Sequence, residues 1–416
     1  MFKLYNKKKY KTACEPVKGF MSKKEFKKLT LNGRKSKLPS ISYDAVNLTI
    51  NSQCLNNNII LGGGGSGLNN LLKLEVIGAG ECKNDNPVYV VMTTCTKSFE
   101  KWYNHLEQHG YKIYNYRYWE EGYQIKNNLN YNPFEWFENL YNIEQYASII
   151  CSYLNTEDTF IRKAAFYLLC SVISYVNQSE SRNMLEVSKW LNNFDKYIEV
   201  IKEEDGYSYK SLQIFINAAG IAQKEILIKL SEAVSFTVYS ISQPNKLTSD
   251  NFNDSILEEE SIIFIDKAVD FNEWLSTGIL ASIMSKLSAE GHTNKRHVKF
   301  IYDISDAFLV EPINGLEQML RIGRMHNFSI DLYTHGLELY VKSNKITLLE
   351  LIISLRCFIF LGTKNKEDLA LTEIIMKELY PELDIKLKLE DMSFEQYIVQ
   401  IRGIKPILIN KGHPIF

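Results

Sequence analysis

Cysteine is scarce and scattered: seven residues (Cys14, Cys54, Cys82, Cys95, Cys151, Cys170 and Cys357), an odd number with no C-x-x-C spacing. That pattern excludes a zinc ribbon or a disulfide-stapled secreted fold and fits a reduced chain, so no metal site is expected. Long apolar runs are also missing. Residues 164–176 are too short to span a bilayer, and 348–360 are interrupted by Arg356. The first residues are lysine-rich with no apolar core behind them, so no signal peptide is expected. Internal repeats are absent. These absences lead to the expectation of a soluble, cytoplasmic chain, peripheral at most to the inner face of the membrane.

Net charge is small, −1, but it is unevenly spread. Residues 1–40 carry thirteen Lys and Arg against Glu15 and Glu25, a balance of +11, which leaves −12 for the remainder. Such an arm can grip phosphates or an anionic membrane surface, or fold onto its own acidic body. Apolar residues at 45% and charged ones at 23% are enough for a sizeable core, and 416 residues allow one large domain with an insertion or two domains.

Along the chain, a short helix is expected at 22–29 and strand character from Ala45 onward. A polar turn at 56–58 then leads to a strand at 59–61. Beyond residue 68 an apolar helical run ends at Gly78 and Gly80. A buried strand follows at 87–92, then a helix with Phe99, Trp102, Tyr103 and Leu106 on one face, stopped by Gly110, then a strand at 111–116. From about 134 the pattern is helical throughout, with helices at 144–154, 160–176, 188–201 and one long helix at 212–234. Residues 245–260 read as a polar loop. Strand and helix alternate again to a final strand at 358–361. This order predicts an α/β fold with a mostly parallel, helix-covered sheet and an inserted all-α domain.

The stretch around which the chain is organised is 59–70, Ile-Ile-Leu-Gly-Gly-Gly-Gly-Ser-Gly-Leu-Asn-Asn. Gly62 and Gly67 stand at the two glycines of G-x-x-x-x-G-K-[ST], between a strand and a helix, with Gly63, Gly64, Gly65 and Ser66 between them. Leu68 and Asn69 occupy the Lys and Ser/Thr positions. The glycines would let backbone N–H groups turn onto an anion, but the lysine that reaches the outer phosphates and the hydroxyl that holds Mg²⁺ are missing. A plain tight turn is the alternative.

Asp303 closes the apolar run Val-Lys-Phe-Ile-Tyr, at the carboxyl end of a strand where ligands of open parallel sheets bind, and Ile304 follows it. A turn-capping role would account for the same residue. His335 can bind an anion or be satisfied by backbone, and Arg324 can reach across an interface or form a salt bridge. Cys95, without a partnering base, reads as an inert thiol.

Taken together, 300–308 (Phe-Ile-Tyr-Asp-Ile-Ser-Asp-Ala-Phe), 320–330 (Leu-Arg-Ile-Gly-Arg-Met-His-Asn-Phe-Ser-Ile) and 334–337 (Thr-His-Gly-Leu) resemble the Walker B, arginine and glutamine segments of type IV coupling proteins. Gly19–Phe26, Tyr89–Thr96, Gly110-Tyr111-Lys112-Ile113 and Tyr131-Asn132-Pro133-Phe134 resemble further segments of that family, in order. The resemblance implies a RecA-like P-loop NTPase fold. It divides the chain into a basic arm and first strand (1–50), a first RecA-like part (51–133), an all-α insertion (134–216), and a second RecA-like part with a tail (217–416).

It also marks the departures. Leu68 and Asn69 replace the loop Lys and Ser/Thr, and Thr93 replaces an acid. Ile304 replaces the Walker B Glu, and His335 stands for the γ-phosphate-sensing Gln. Arg324 keeps an arginine position, and His326 stands where a second arginine is common. A charge-assisted hydrogen bond contributes about 1.5–3 kcal/mol, so loss of the Lys alone weakens nucleotide affinity tenfold or more.

The expectation is a catalytically silent (pseudo-ATPase) relative of a coupling protein, an adaptor or substrate-recruiting partner in conjugative DNA transfer, leaning away from enzymatic activity. No tightly bound cofactor is expected, and ATP with Mg²⁺ would bind weakly. Partners would be an active coupling ATPase or relaxase and DNA-processing proteins, in a homo- or hetero-oligomer, with DNA held by residues 1–40. The alternatives are a weak ATP-hydrolysing motor subunit and a DNA-binding module built on the basic arm.

Overall fold

In a computed structural model of the 416-residue chain, the described residues are 40–43, 46–49, 57–79, 87–94, 96–116, 131–152, 154, 156, 158–202, 207–241, 254–266, 273–287, 296–304, 320, 326–338, 341, 348–381, 389, 392 and 396–410. The expected helix at 22–29, residues 1–39 of the arm, Arg324 and Cys95 lie outside them. The chain divides into two compact units: residues 1–86, 301–312 and 329–416, and residues 87–300 and 313–328.

The first unit is built on β3 (Asn57–Leu61), which lies between β8 (Phe328–Thr334) and β9 (Leu355–Phe360), parallel to both. Every residue of β3 and β8 is buried. Burial on both faces accounts for the apolar run Ile59-Ile60-Leu61 in β3, whereas β8 alternates and buries Ser329 and Asp331 beside its apolar residues. Helix α1 (Leu68–Ala79) follows β3 and turns Leu68, Leu72 and Val76 into the core at helical spacing.

The polar turn expected at 56–58 is instead the start of β3. Asn57 and Asn58 are buried, with Asn57 Oδ1 accepting from Ile330 N at 3.2 Å and Asn58 Nδ2 donating to Asp331 Oδ1 at 2.6 Å, while Asn58 Oδ1 meets no hydrogen-bond donor among the described residues.

Nor is the strand near 358–361 the last. β10 (Gln396–Ile401) pairs antiparallel with β9 and with β11 (Ile407–Asn410). Gly403, at φ 74°, makes the turn between them, and Arg402 Nε donates to Leu355 O at 3.0 Å. A separate antiparallel ribbon joins β1 (Ser40–Tyr43) to β2 (Val46–Thr49).

In the second unit β6 (Ser261–Asp266) lies between β4 (Val88–Thr93) and β5 (Lys112–Tyr116), parallel to both. The expected helix near Phe99 is a 3₁₀ segment, Thr96–Trp102, that runs into the short α2 (Tyr103–Gln108) and buries Phe99 and Leu106. Strand β7 (Val298–Ile304) crosses the division between the units at Phe300 and Ile301.

Helices α3 (Leu140–Ser152), α4 (Thr159–Asn177), α5 (Met184–Asn192), α6 (Phe194–Ile201), α7 (Tyr207–Ile216), α8 (Gly220–Ile241) and α9 (Glu273–Leu287) complete this unit. Asp158 and Asn183 cap α4 and α5 by accepting from Phe160 N at 2.8 Å and Glu186 N at 2.9 Å. The helix expected over 188–201 breaks at Asn193, whose side chain donates to Lys189 O at 2.9 Å.

The long helix expected over 212–234 breaks at Asn217–Ala219, where Gln223 Nε2 closes the preceding helix on Ile216 O at 2.9 Å. Among the described residues α4 is the helix long and apolar enough to cross a membrane by length and composition. It exceeds the apolar run read from sequence because it starts at Thr159, ahead of Arg162 and Lys163, and 61% of its most apolar window is buried.

Candidate functional site

The glycine loop joins β3 to α1 in the first unit. Gly62 N donates to Thr334 O at 3.0 Å and Gly63 N to Gly362 O at 2.8 Å, so the first two amides are spent on the ends of the neighbouring strands. Ser66 N donates back to Gly63 O at 3.0 Å and closes the turn. Gly65 (φ 77°) and Gly67 (φ 89°) occupy the left-handed region, which accounts for two of the glycines without any ligand. A Cβ on Gly62 would stand 2.3 Å from Ser66 Oγ, so that glycine makes room for the buried serine. Around Gly64, Gly65 and Gly67 nothing lies within 4 Å of a Cβ position, and among the described residues no backbone carbonyl takes their N–H groups. This outer part of the loop is the surface an oxyanion could meet.

Leu68, at the lysine position, is 2% exposed and belongs to the core, while Asn69 is on the surface. An apolar side chain here exchanges phosphate contact for packing.

His335 follows β8 directly and donates from Nδ1 to Gly62 O; the carbonyl can only accept, so Nδ1 carries the proton. The turn after it is clamped from α10 (Lys366–Leu379): Asp368 Oδ1 accepts from Leu337 N at 2.8 Å and Glu338 N at 3.0 Å. Burial pushes the Asp368 carboxyl above its ordinary value, the two N–H groups pull it back, and the charge of Glu338 adds to the rise.

Asp303 and Ile304 are both in β7 and both buried, at 5% and 6% exposure. Asp303 belongs to a polar group shared by β3, β7, β8 and α1 that the motif reading missed. Tyr333 on β8 donates from its hydroxyl to Glu75 Oε2 on α1. Burial, then the charges of Glu75 and Asp331, then Asp303, hold the Tyr333 phenol well above the ordinary tyrosine range, so it remains a donor. Asp331 in turn accepts from Asn58 Nδ2 at 2.6 Å. The signal was present in the sequence: Glu75 interrupts the apolar stripe of α1, and Asp331 places a carboxylate in the middle of a fully buried strand.

The first unit therefore holds the loop, Asp303, Ile304 and His335, and of these His335 is bonded to the loop at Gly62 O. His326 belongs to the second unit, half-buried in the turn before β8, where the next residue Asn327 has φ 56°. Thr93 ends β4, fully buried, in that unit as well. Among the described residues no group of three or more His, Cys, Asp or Glu side chains is placed to hold a metal.

A parallel sheet with a glycine loop between β3 and α1 and an Asp at the end of β7 defines the RecA-like P-loop NTPase fold. Comparison with solved structures agrees. The plasmid coupling protein TrwB in complex with ADP and Mg²⁺ aligns with a TM-score of 0.68 at 15% identity, covering 97% of each chain. Its complex with the non-hydrolysable GTP analogue GDPNP aligns equally well, at 14% identity. VirB4 of Thermoanaerobacter pseudethanolicus aligns with a TM-score of 0.53 at 10% identity, covering 92% of this chain and 98% of that one. No family model and no curated protein sequence matches the chain.

Proposed function

We propose that this chain works beside a type IV secretion apparatus as a coupling-protein-like component of conjugative transfer whose nucleotide site no longer turns over ATP. The observation that carries the reading is Leu68. The TrwB fold that covers nearly the whole chain is known with ADP and Mg²⁺ bound, whereas here the phosphate-gripping position holds a leucine packed in the core.

Three further departures support it: Asn69 offers no hydroxyl for Mg²⁺, Ile304 offers no carboxylate to orient water, and His335 spends its Nδ1 proton on the loop itself. In this reading the frame presents surfaces to partners, namely an active coupling ATPase or the relaxase and DNA-processing proteins, on the cytoplasmic side of the membrane. Its domains would follow the division into arm, RecA-like parts and all-α insertion, and Arg324 and His326 would serve contacts instead of phosphate chemistry.

A second reading is favoured by the N–H groups of Gly64, Gly65 and Gly67, which among the described residues no backbone carbonyl takes. Through them the loop would hold ATP and Mg²⁺ weakly, beside Asp303, without hydrolysing it. Calorimetry and a phosphate-release assay on the purified chain test both. The first reading expects no release above background and binding no tighter than the millimolar range. Release that Gly67→Glu abolishes overturns it, and saturable micromolar binding without release selects the second.

A further inference from the structure

The second unit carries a pair of histidines that the nucleotide site does not use. His105 lies in α2 and His109 is the residue that ends it, four positions on, at φ −92° and ψ 6°. Residues spaced by four on a helix stand one above the other, and the two imidazole rings are only 4.4 Å apart between centroids, tilted by 54°.

Their hydrogen bonding suits a metal. His109 Nδ1 lies 2.7 Å from His105 O. A carbonyl accepts only, so Nδ1 is the protonated nitrogen and Nε2 carries the lone pair; a carbonyl on the far nitrogen is how ligating histidines are commonly oriented. The ring of His105 also meets Trp102, edge to face with centroids 6.2 Å apart. Among the described residues its nitrogens make no hydrogen bond. Both side chains are half-buried, so the rings are held while their outer edges meet solvent. Directly after the pair, Gly110 at φ 95° turns the chain into β5.

From this geometry we infer that His105 and His109 form a two-histidine chelate for a divalent first-row cation of the zinc type, with water completing the coordination shell. Neutral imidazole is a preferred ligand of zinc, copper and nickel, while Mg²⁺ and Ca²⁺ prefer oxygen. Bound metal would tie the end of α2 to the turn that starts β5. A search of the sequence for cysteine and histidine clusters passes over the pair because two ligands make no structural zinc motif.

The test is calorimetric titration of the full chain, made without a polyhistidine tag, with Zn²⁺ alone, beside His105→Asn, His109→Asn and the control His326→Asn. One equivalent of zinc should bind the unsubstituted chain and the control alike, with excess Mg²⁺ failing to compete. Each of the two site substitutions should weaken binding about tenfold or more, since even the outer partners of metal ligands contribute 10–100-fold. Melts without metal should coincide for all four proteins, and zinc should raise the midpoint of the unsubstituted chain and the control only. Absence of saturable zinc binding, or binding left unchanged in both site substitutions, overturns the assignment.

Discussion

Asn58 on β3 and Asp331 on β8 face each other in parallel register and are joined by a 2.6 Å hydrogen bond from the amide to the carboxylate, both side chains buried. A hydrogen bond to a buried charged group is worth about 1.5–3 kcal/mol, and removing the donor leaves the carboxylate to bear its desolvation. Asn58→Leu should therefore lower stability by about that amount. Asp331→Asn, which removes the charge and keeps an acceptor, should cost less. Urea titrations of the three proteins measure the difference.

Tyr333 and Glu75 pose the same question between sheet and helix. Tyr333→Phe removes only the hydroxyl that donates to Glu75. The expected loss is roughly 1–3 kcal/mol, and pairing it with Glu75→Gln should recover part of it, read as a non-additive double-mutant cycle.

The carboxyl of Asp368 sets a pH dependence whose sign can be worked out. Its folded-state value lies above the ordinary one, chiefly because it is buried. The native state then holds this proton to higher pH than the unfolded chain, whose carboxyl titrates near about 3.9. The contribution to stability is full below that value and is lost as pH rises through the raised folded value. Asp368→Asn, which still accepts from Leu337 and Glu338, should remove this component and hold stability flatter with pH. Asp368→Ala leaves both N–H groups without it and should destabilise at every pH. Thermal melts across acid to neutral pH distinguish the two.

Within the loop, glycines should differ sharply in tolerance. Gly64→Ala meets nothing within 4 Å and should be nearly neutral. Gly67→Ala must place a Cβ at φ 89° and should cost about 1–2 kcal/mol. Gly62→Ala should cost more than Gly64→Ala, since its Cβ falls 2.3 Å from Ser66 Oγ and 3.0 Å from Leu361 Cβ. Differential scanning of the three variants ranks them.

Restoring the motif lysine should fail as a single step. Leu68→Lys gives up the burial of a leucine, about 1.5–3 kcal/mol, and sends a charge toward the core. A lower melting midpoint without gain of phosphate release is the expected result.

The alternation of strands and helices could be read because parallel strands covered on both faces are short continuous apolar runs, as in Val88–Thr93 and Ser261–Asp266. Turn chemistry defeated the reading in three places. Asn57 and Asn58 resembled a loop because their partners, Ile330 N and Asp331, are far away in the chain. Asn193 and Asn217 broke helices whose apolar spacing runs on past them.

At the site, the glycine loop and Asp303 stood out as local patterns. Glu75, Tyr333 and Asp368 act only through tertiary contacts made by α1, β8 and α10, which no window of sequence contains. The C-terminal hairpin was missed because Gln396 and Gln400 dilute the apolar signal of β10.

That hairpin has a further consequence. Strand β10 occupies the outer flank of Leu355–Phe360, a segment of Leu, Cys and two Phe with little charge, and the rim passes to β11, four residues long and preceded by Pro406. Short, proline-led rims recruit foreign strands poorly, whereas a long apolar one invites them. A chain cut before Gln396 would bare that flank, and clumping on expression would be the expected penalty.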